Sequence, residues 1–259
     1  MHRLRLFVLA CLMGLVATVS AAQTATKEAP VNLAGEQRML VQRIAKLYSQ
    51  IGLNVLPSIA VSQLAIANSR FESNLLALTA VVAGSNEATA GLKRLSEEWQ
   101  GMKKAASEPI SRDAAETLAR QAETALAAAE NLTQVIEKQK KSAAAHLINQ
   151  AGRQRMLSQR IANYYLLRSW GVESATVQKN LEASSNELST GLAQLIARQD
   201  NSLEIQHELE DVSQQWDWLK ASLSVEGASS YRLIVSESAD AILEATDRIT
   251  RLYIEQSRR

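Results

Sequence analysis

The chain of 259 residues contains two copies of one segment. Residues 32–48 recur at 149–165, a shift of 117 positions, with 12 of the 17 residues identical. Over the next 65 positions, 49–113 against 166–230, the same shift leaves only 12 identities. The fold must therefore accommodate two similar units. Because packing alone tolerates many apolar substitutions, the retained segment is the place to look for a specific function.

Composition favours a helical protein. Ten Gly and three Pro provide little turn material for a β-sandwich or a barrel. The charge is nearly balanced, with 28 Lys and Arg against 27 Asp and Glu, which argues against nucleic-acid binding through bulk electrostatics. We expect an all-α protein with no nucleic-acid partner.

Turn-forming residues divide each copy into four helical segments. Four helices joined by short turns form an up-down bundle, so the sequence predicts two tandem four-helix modules, 31–143 and 144–259. The predicted helices lie near 32–54, 58–83, 87–106 and 110–145 in the first copy, and near 149–169, 173–199, 203–222 and 230–257 in the second.

The junction between the copies has two possible structures. Residues 125–149 contain no Gly or Pro, which favours one continuous helix of roughly 50 residues, about 75 Å long, that joins the modules into a rod. A turn within 140–145 would instead place the first helices of both copies side by side. The rod is the prediction, and the turn is the alternative.

The N-terminus has the pattern of a secretory signal peptide. Residues 1–5 form a short basic region with Arg3 and Arg5, residues 6–17 are apolar, and small residues follow at 19–22. We therefore predict a cleaved signal peptide over 1–22, a linker over 23–30 and a periplasmic mature protein. Cleavage would remove Cys11, the only cysteine. The alternatives are an uncleaved anchor or a lipoprotein at that cysteine.

On a helix, the retained segment forms one stripe in which a glycine accompanies an arginine. The small residues would let a second helix approach closely, and an anion between two arginines, one from each helix, would neutralise them through planar hydrogen bonds. The alternative is that these arginines are solvated. The stripe residues are Gly35, Arg38, Met39 and Gln42 in the first copy and Gly152, Arg155, Met156 and Gln159 in the second.

A second arginine in each copy lies about 140° around the helix from the first. For these two residues, Arg43 and Arg160, we expect an acidic partner or a backbone carbonyl on a neighbouring helix.

No residues suggest catalysis or a metal site. The three histidines, His2, His146 and His207, are scattered, and neither a nucleophile with a base nor a glycine-rich phosphate loop is present. We therefore predict a protein that is not an enzyme and needs no cofactor.

The motif N-x-A-G-x-x-R-M-x-x-x-R, present in both copies, resembles the PilJ-type domain of type IV pili methyl-accepting chemotaxis transducers. It is also similar to the sensor domains of the NarX and NarQ nitrate sensor kinases. The resemblance implies a periplasmic, dimeric domain that binds nitrate or nitrite across paired first helices. For this chain we expect a homodimer, and a membrane sensor or transporter as its partner.

The same resemblance assigns roles to individual residues. It makes Arg38 and Arg155 the anion ligands, with Gly35 and Gly152 as backbone contacts. The supporting residues would be Asn32, Met39, Gln42, Arg43, Asn149, Met156, Gln159 and Arg160. Within residues 1–259 we expect no HAMP linker, kinase or methyl-accepting region, which is a departure from those families.

Two functions of different classes follow from these observations. The first is an oxyanion-binding sensor protein that acts in signal transduction. The second is a ligand-free helical interaction protein, in which the retained segment is a dimerisation seam.

Overall fold

The computed structural model describes residues 29–225 and 229–258, and within these ranges it is all-α, as predicted. The first copy forms four helices, α1 (Ala29–Gly52), α2 (Pro57–Val82), α3 (Asn86–Ala106) and α4 (Arg112–Lys140). The second copy forms α5 (Ala143–Ser169), α6 (Ala175–Ile196), α7 (Leu203–Ser222) and α8 (Ser229–Gln256).

Serine caps define the starts of most helices. A serine hydroxyl accepts a hydrogen bond from a backbone N–H two or three residues further on, which satisfies a donor that the first turn leaves unpaired. Pro57 begins α2, where its missing N–H costs nothing. The capping serines are Ser85, Ser111, Ser142, Ser174 and Ser202.

The predicted rod is wrong, because the chain reverses direction between α4 and α5. Lys141 adopts the left-handed conformation with φ 49° and ψ 39°, and the Ser142 hydroxyl accepts from the Ala145 N–H at 3.3 Å to begin a new helix. A left-handed lysine costs on the order of 1 kcal/mol. Burying α1 and α5 against each other offsets that cost, so the alternative of a turn within 140–145 is confirmed.

The two first helices, α1 and α5, form the centre of the molecule. They pack against each other side by side, while α1 also contacts α2 and α4, and α5 also contacts α6 and α8. Both helices are therefore surrounded by protein, and their buried residues include polar ones such as Gln37, Lys46 and Gln154. The retained segment of the sequence is the buried interface between the two copies.

Aromatic side chains anchor the outer helices. Trp99 of α3 is buried and stacks on Phe71 of α2 with ring centroids 4.2 Å apart. Trp216 of α7, at the equivalent position, is also buried, and its indole N–H donates to Ser189 at 3.0 Å. Truncating a buried tryptophan to alanine typically costs about 3 to 5 kcal/mol, so these residues hold the outer helices on the core.

Among the described residues, no helix combines the length and apolar character needed to cross a membrane. The predicted signal peptide over 1–22, and the linker as far as residue 28, lie outside the described residues.

Candidate functional site

The arginine of each retained segment lies at the contact between α1 and α5. The side chains of Arg38 and Arg155 are almost fully buried, at 0% and 2% exposure. Each folds back over the glycine one turn before it, so that a Cβ added to Gly35 or to Gly152 would lie 3.0 Å from the Nη2 atom of its own arginine. The same Cβ on Gly152 would lie 3.7 Å from Nη2 of Arg38. Both guanidinium groups therefore converge on Gly152.

Arg38 has a carboxylate partner from its own copy. Its Nη1 donates to Glu130 Oε2 of α4 at 2.7 Å, and its Nη2 donates to the Asn149 carbonyl of α5 at 3.4 Å. Its Nε makes a longer contact, 3.5 Å, with the Gly35 carbonyl. Burial lowers the pKa of Arg38, Glu130 opposes this, and the charges of Arg153 and Arg155 lower it further. The two central arginines thus repel each other.

Arg155 repeats this arrangement in the second copy. Its Nη1 donates to Asp247 Oδ1 of α8 at 2.7 Å, and its Nη2 donates to Asn32 Oδ1 of α1 at 2.7 Å. Its buried Nε has no hydrogen-bond partner among the described residues. Asp247 stands 117 residues after Glu130, so the two arginine–carboxylate pairs are related by the duplication.

The second arginine of each segment ties the two copies together. Arg43 of α1 donates to Asp240 of α8 at 2.6 Å, and Arg160 of α5 donates to both carboxylate oxygens of Glu123 of α4, at 3.0 and 2.6 Å. Asp240 and Glu123 are also 117 residues apart. The acidic partners expected for these arginines are present, and each belongs to the opposite copy.

The remaining sequence-predicted residues lie along the same interface. Gln42 donates to Glu123 at 2.9 Å, and Gln159 donates to the Ala239 carbonyl at 3.0 Å while accepting from Arg43 at 3.2 Å. Met39 and Met156 are buried in the apolar core. The amides of Asn32 and Asn149 lie at the N-terminal end of the site, where Asn149 donates to Glu137.

Sequence reasoning missed the four carboxylates that neutralise these arginines. Their signal was present, since Glu123 and Glu130 align with Asp240 and Asp247 at the same shift of 117. These acids lie 75 and 82 residues after the end of the retained segment of their own copy, in helices where few other positions match. Burial works against ionisation of Glu130, but the charges of Arg38 and Arg153 outweigh it and lower its pKa.

Lys46 is a further buried cation that the sequence did not reveal. Its Nζ donates to Asp240 Oδ1 at 2.6 Å, the oxygen that also accepts from Arg43. Burial lowers its pKa from 10.5 to about 8, with Asp240 opposing the shift and Arg43 adding to it. The equivalent residue of the second copy is Asn163, so this charge belongs to one copy alone.

The site offers guanidinium groups and amides but no cluster of metal ligands. In the ranges 29–225 and 229–258, no group of three His, Cys, Asp or Glu side chains could hold a metal ion. The chemistry that the two central arginines support is the binding of an anion by planar charged hydrogen bonds.

Comparison with known protein families identifies the family of this chain. The model of PilJ, the type IV pili methyl-accepting chemotaxis transducer N-terminal domain, matches residues 20–125 and again 136–248. Searches of curated proteins and of solved structures gave no match. Two matches that together cover most of the chain, each containing one arginine of the central pair, show that the protein belongs to the PilJ family of signal-transduction domains.

Proposed function

We propose that this protein is an exported, periplasmic sensor that binds one small oxyanion, nitrate or nitrite, between Arg38 and Arg155. The observation that carries the proposal is the convergence of the two guanidinium groups over Gly152. Two buried like charges destabilise each other, and an anion between them would relieve that repulsion.

In the protein without a bound anion, two carboxylates neutralise the central arginines. Glu130 and Asp247 each occupy one edge of an arginine fork and remain partly open to solvent, at 22% and 36% side-chain exposure. An entering oxyanion would compete with them for the arginines. Such an exchange would change how α1 and α5 are held to α4 and α8, which is what a sensor requires.

The pairing of α1 with α5 inside one chain sets the stoichiometry. The resemblance places the arginine pair between two chains, whereas here one chain supplies both arginines. We therefore expect one anion per chain.

The size of the ligand limits its affinity. Nitrate has four heavy atoms, and a ceiling of about 1.5 kcal/mol per heavy atom corresponds to a dissociation constant of tens of micromolar or weaker. Displacement of a carboxylate weakens binding further. This range suits the sensing of an abundant anion rather than scavenging.

The proposed location rests on the N-terminal sequence. The basic residues at 1–5, the apolar run at 6–17 and the small residues at 19–22 form a secretion signal. A membrane sensor or transporter is the proposed partner, because an exported sensor must pass its state across the membrane.

Isothermal titration calorimetry of the mature protein tests the proposal. Nitrate or nitrite should give saturable heat at millimolar concentration or below, while chloride and sulfate should bind more weakly. The double variant Arg38→Gln/Arg155→Gln should lose this heat, and the exposed control Arg94→Gln should keep it. Absence of heat with all four anions, or unchanged binding in the double variant, would refute the proposal.

The second candidate is a helical interaction protein that forms a homodimer. The retained segment, expected as its dimerisation seam, is buried between α1 and α5 of one chain, so the exposed surface of α2 is the surface that favours this candidate. Ile59, Val61, Ile66 and Leu76 are exposed on this helix. The aligned positions of α6 carry small or polar residues, Thr176, Gln178, Ala183 and Ala193. The double variant Ile66→Glu/Leu76→Glu should convert a dimer into a monomer in size-exclusion chromatography with light scattering. An unchanged mass would exclude this surface.

A further inference from the structure

One ion pair is present in both copies with its charges exchanged. Glu36 of α1 accepts from Arg70 of α2 at 3.0 and 3.2 Å. At the positions 117 residues later, Arg153 of α5 pairs with Glu187 of α6. Each pair joins the first and second helices of its own copy, but the basic residue is on the second helix in one copy and on the first in the other.

The exchange gives Glu130 a second partner on another helix. Nη1 of Arg153 lies 2.8 Å from Glu130 Oε2, the oxygen that also accepts from Arg38 at 2.7 Å. Because Arg38 is on α1 and Arg153 is on α5, Glu130 holds α4 to both central helices. Arg153 extends the tie to α6 through Glu187.

Within residues 29–225 and 229–258, Asp247 has no second ion pair to another helix at the short distance seen for Glu130. The residue equivalent to Arg153 is Glu36, which is acidic and cannot pair with it. The other arginine bound to Asp247 is Arg251, one turn further along α8 itself. Among the described residues, Arg155 is the only partner on a different helix within ion-pair distance of Asp247, and the charge of Arg70 on α2 acts on Asp247 only from farther away.

We propose that the exchanged pair makes the two halves of the arginine site unequal, so that a bound oxyanion displaces Asp247 from Arg155 while Glu130 stays on Arg38. This inference rests on the proposed function. Displacing Glu130 would break ion pairs to two helices, whereas displacing Asp247 breaks one. Arg251 moves with Asp247 and continues to neutralise it.

The consequence is that the response to ligand begins at one helix. Loss of the Asp247–Arg155 pair loosens the contact of α8 with α5, and α4 keeps its place. The side chain of Asp247 is also the more exposed of the two carboxylates, 36% against 22%, which eases its transfer to water. Arg153 acts as a positioning residue, because it works through Glu130.

Two isosteric variants test, by nitrate calorimetry, whether the anion displaces Asp247 rather than Glu130. Asp247→Asn removes the competing charge and should tighten nitrate binding roughly fivefold, the size expected for a partly exposed ion pair. Glu130→Gln should leave the affinity unchanged or weaken it. Equal tightening in both variants, or tightening in Glu130→Gln alone, would overturn the inference.

Hydrogen–deuterium exchange locates the response. In the wild-type chain, saturating nitrate should accelerate exchange in α8 near Asp247 and leave α4 near Glu130 unchanged. The polarity-reversed variant Arg153→Glu/Glu187→Arg, which removes the second tie on Glu130, should extend the response to α4. An equal response of α4 and α8 in the wild type would contradict the inference.

A ligand-free measurement separates this inference from the proposed function. At pH 7, Glu130→Gln should lower the Tm about twice as much as Asp247→Asn, since it breaks ties to two helices rather than one. Equal losses would overturn the inference whether or not nitrate binds. A larger loss in Glu130→Gln together with no anion heat would refute the proposed function and leave the inequality supported.

Discussion

The guanidinium groups of Arg38 and Arg155, 117 residues apart in the chain, meet over the same glycine. A Cβ placed on Gly152 would lie 3.0 Å from Nη2 of Arg155 and 3.7 Å from Nη2 of Arg38. The two Nη2 atoms are therefore no more than about 7 Å apart, which brings the retained segments of both copies into one buried site.

Substituting the glycines should separate binding from stability. A Cβ on Gly152 would crowd Arg155 at 3.0 Å and fill the space beside Arg38 at 3.7 Å, so Gly152→Ala should weaken nitrate binding about tenfold. A Cβ on Gly35 would crowd Arg38 alone, so Gly35→Ala should have a smaller effect. Replacing a helical glycine by alanine stabilises the helix by about 1 kcal/mol. This gain offsets the cost of displacing the arginine, so the Tm should change little. Calorimetry and thermal unfolding of both variants measure the two effects.

Gly91→Ala in α3 is the matched control. A Cβ at Gly91 would make ordinary van der Waals contact with Leu132 at 3.4 Å and lies away from the arginines. Its nitrate affinity should equal that of the wild type. Equal affinities for Gly152→Ala and Gly91→Ala would show that the glycine does not make room at the site.

The two ion pairs that join the copies, Arg43–Asp240 and Arg160–Glu123, should contribute unequally to the free energy of unfolding. Arg160→Gln removes the only arginine that pairs with Glu123 in the part of the chain that the structure describes, whereas Arg43→Gln leaves Asp240 paired with Lys46. We expect losses of about 2 kcal/mol for Arg160→Gln and about 1 kcal/mol for Arg43→Gln in the free energy of unfolding. Urea denaturation at pH 7 provides the comparison, and a larger loss for Arg43→Gln would contradict it.

Lys46 predicts a pH dependence of stability. Its pKa is about 8 in the folded protein, below the ordinary value of 10.5. Between these values the unfolded chain binds more protons than the folded one, so the free energy of unfolding rises with pH by up to about 3 kcal/mol from this residue. Lys46→Asn, which installs the residue of the second copy, should lose that rise.

Denaturation of the wild type and of Lys46→Asn at pH 7.5 and pH 10 isolates this contribution, because other groups titrate in both proteins. The wild type should gain stability relative to the variant at the higher pH. If the free energy of unfolding changed equally in both proteins between the two pH values, burial would not lower the pKa of Lys46.

The sequence was sufficient for the helical class and for most helix ends, because composition and turn-forming residues are local signals. The unequally diverged repeat also identified the segment that turns out to form the interface. It was insufficient at the junction, since Lys141 enters the left-handed region without a glycine and only the Ser142 cap indicated a break. The decision between rod and turn depended on burial of α1 against α5, which is a tertiary effect.

The counterions were missed for a different reason. Glu130 and Asp247 each follow their arginine by 92 residues, and nothing local associates a helix-face acid with a distant arginine. The shift of 117 that relates the two acids becomes informative only when the last helices of both copies are compared. The charge exchange at the equivalent positions Glu36 and Arg153 was harder still to notice, because a comparison of the two copies by identity counts these positions as a mismatch.

The central claim is that Arg38 and Arg155 form a single anion site within one chain. Nitrate titration of the wild type and of Arg38→Gln and Arg155→Gln separately, with light scattering to define the mass, tests it most directly. We expect one nitrate per chain and loss of binding in either single variant. Two nitrates per chain, or full binding that survives in one of the single variants, would contradict it.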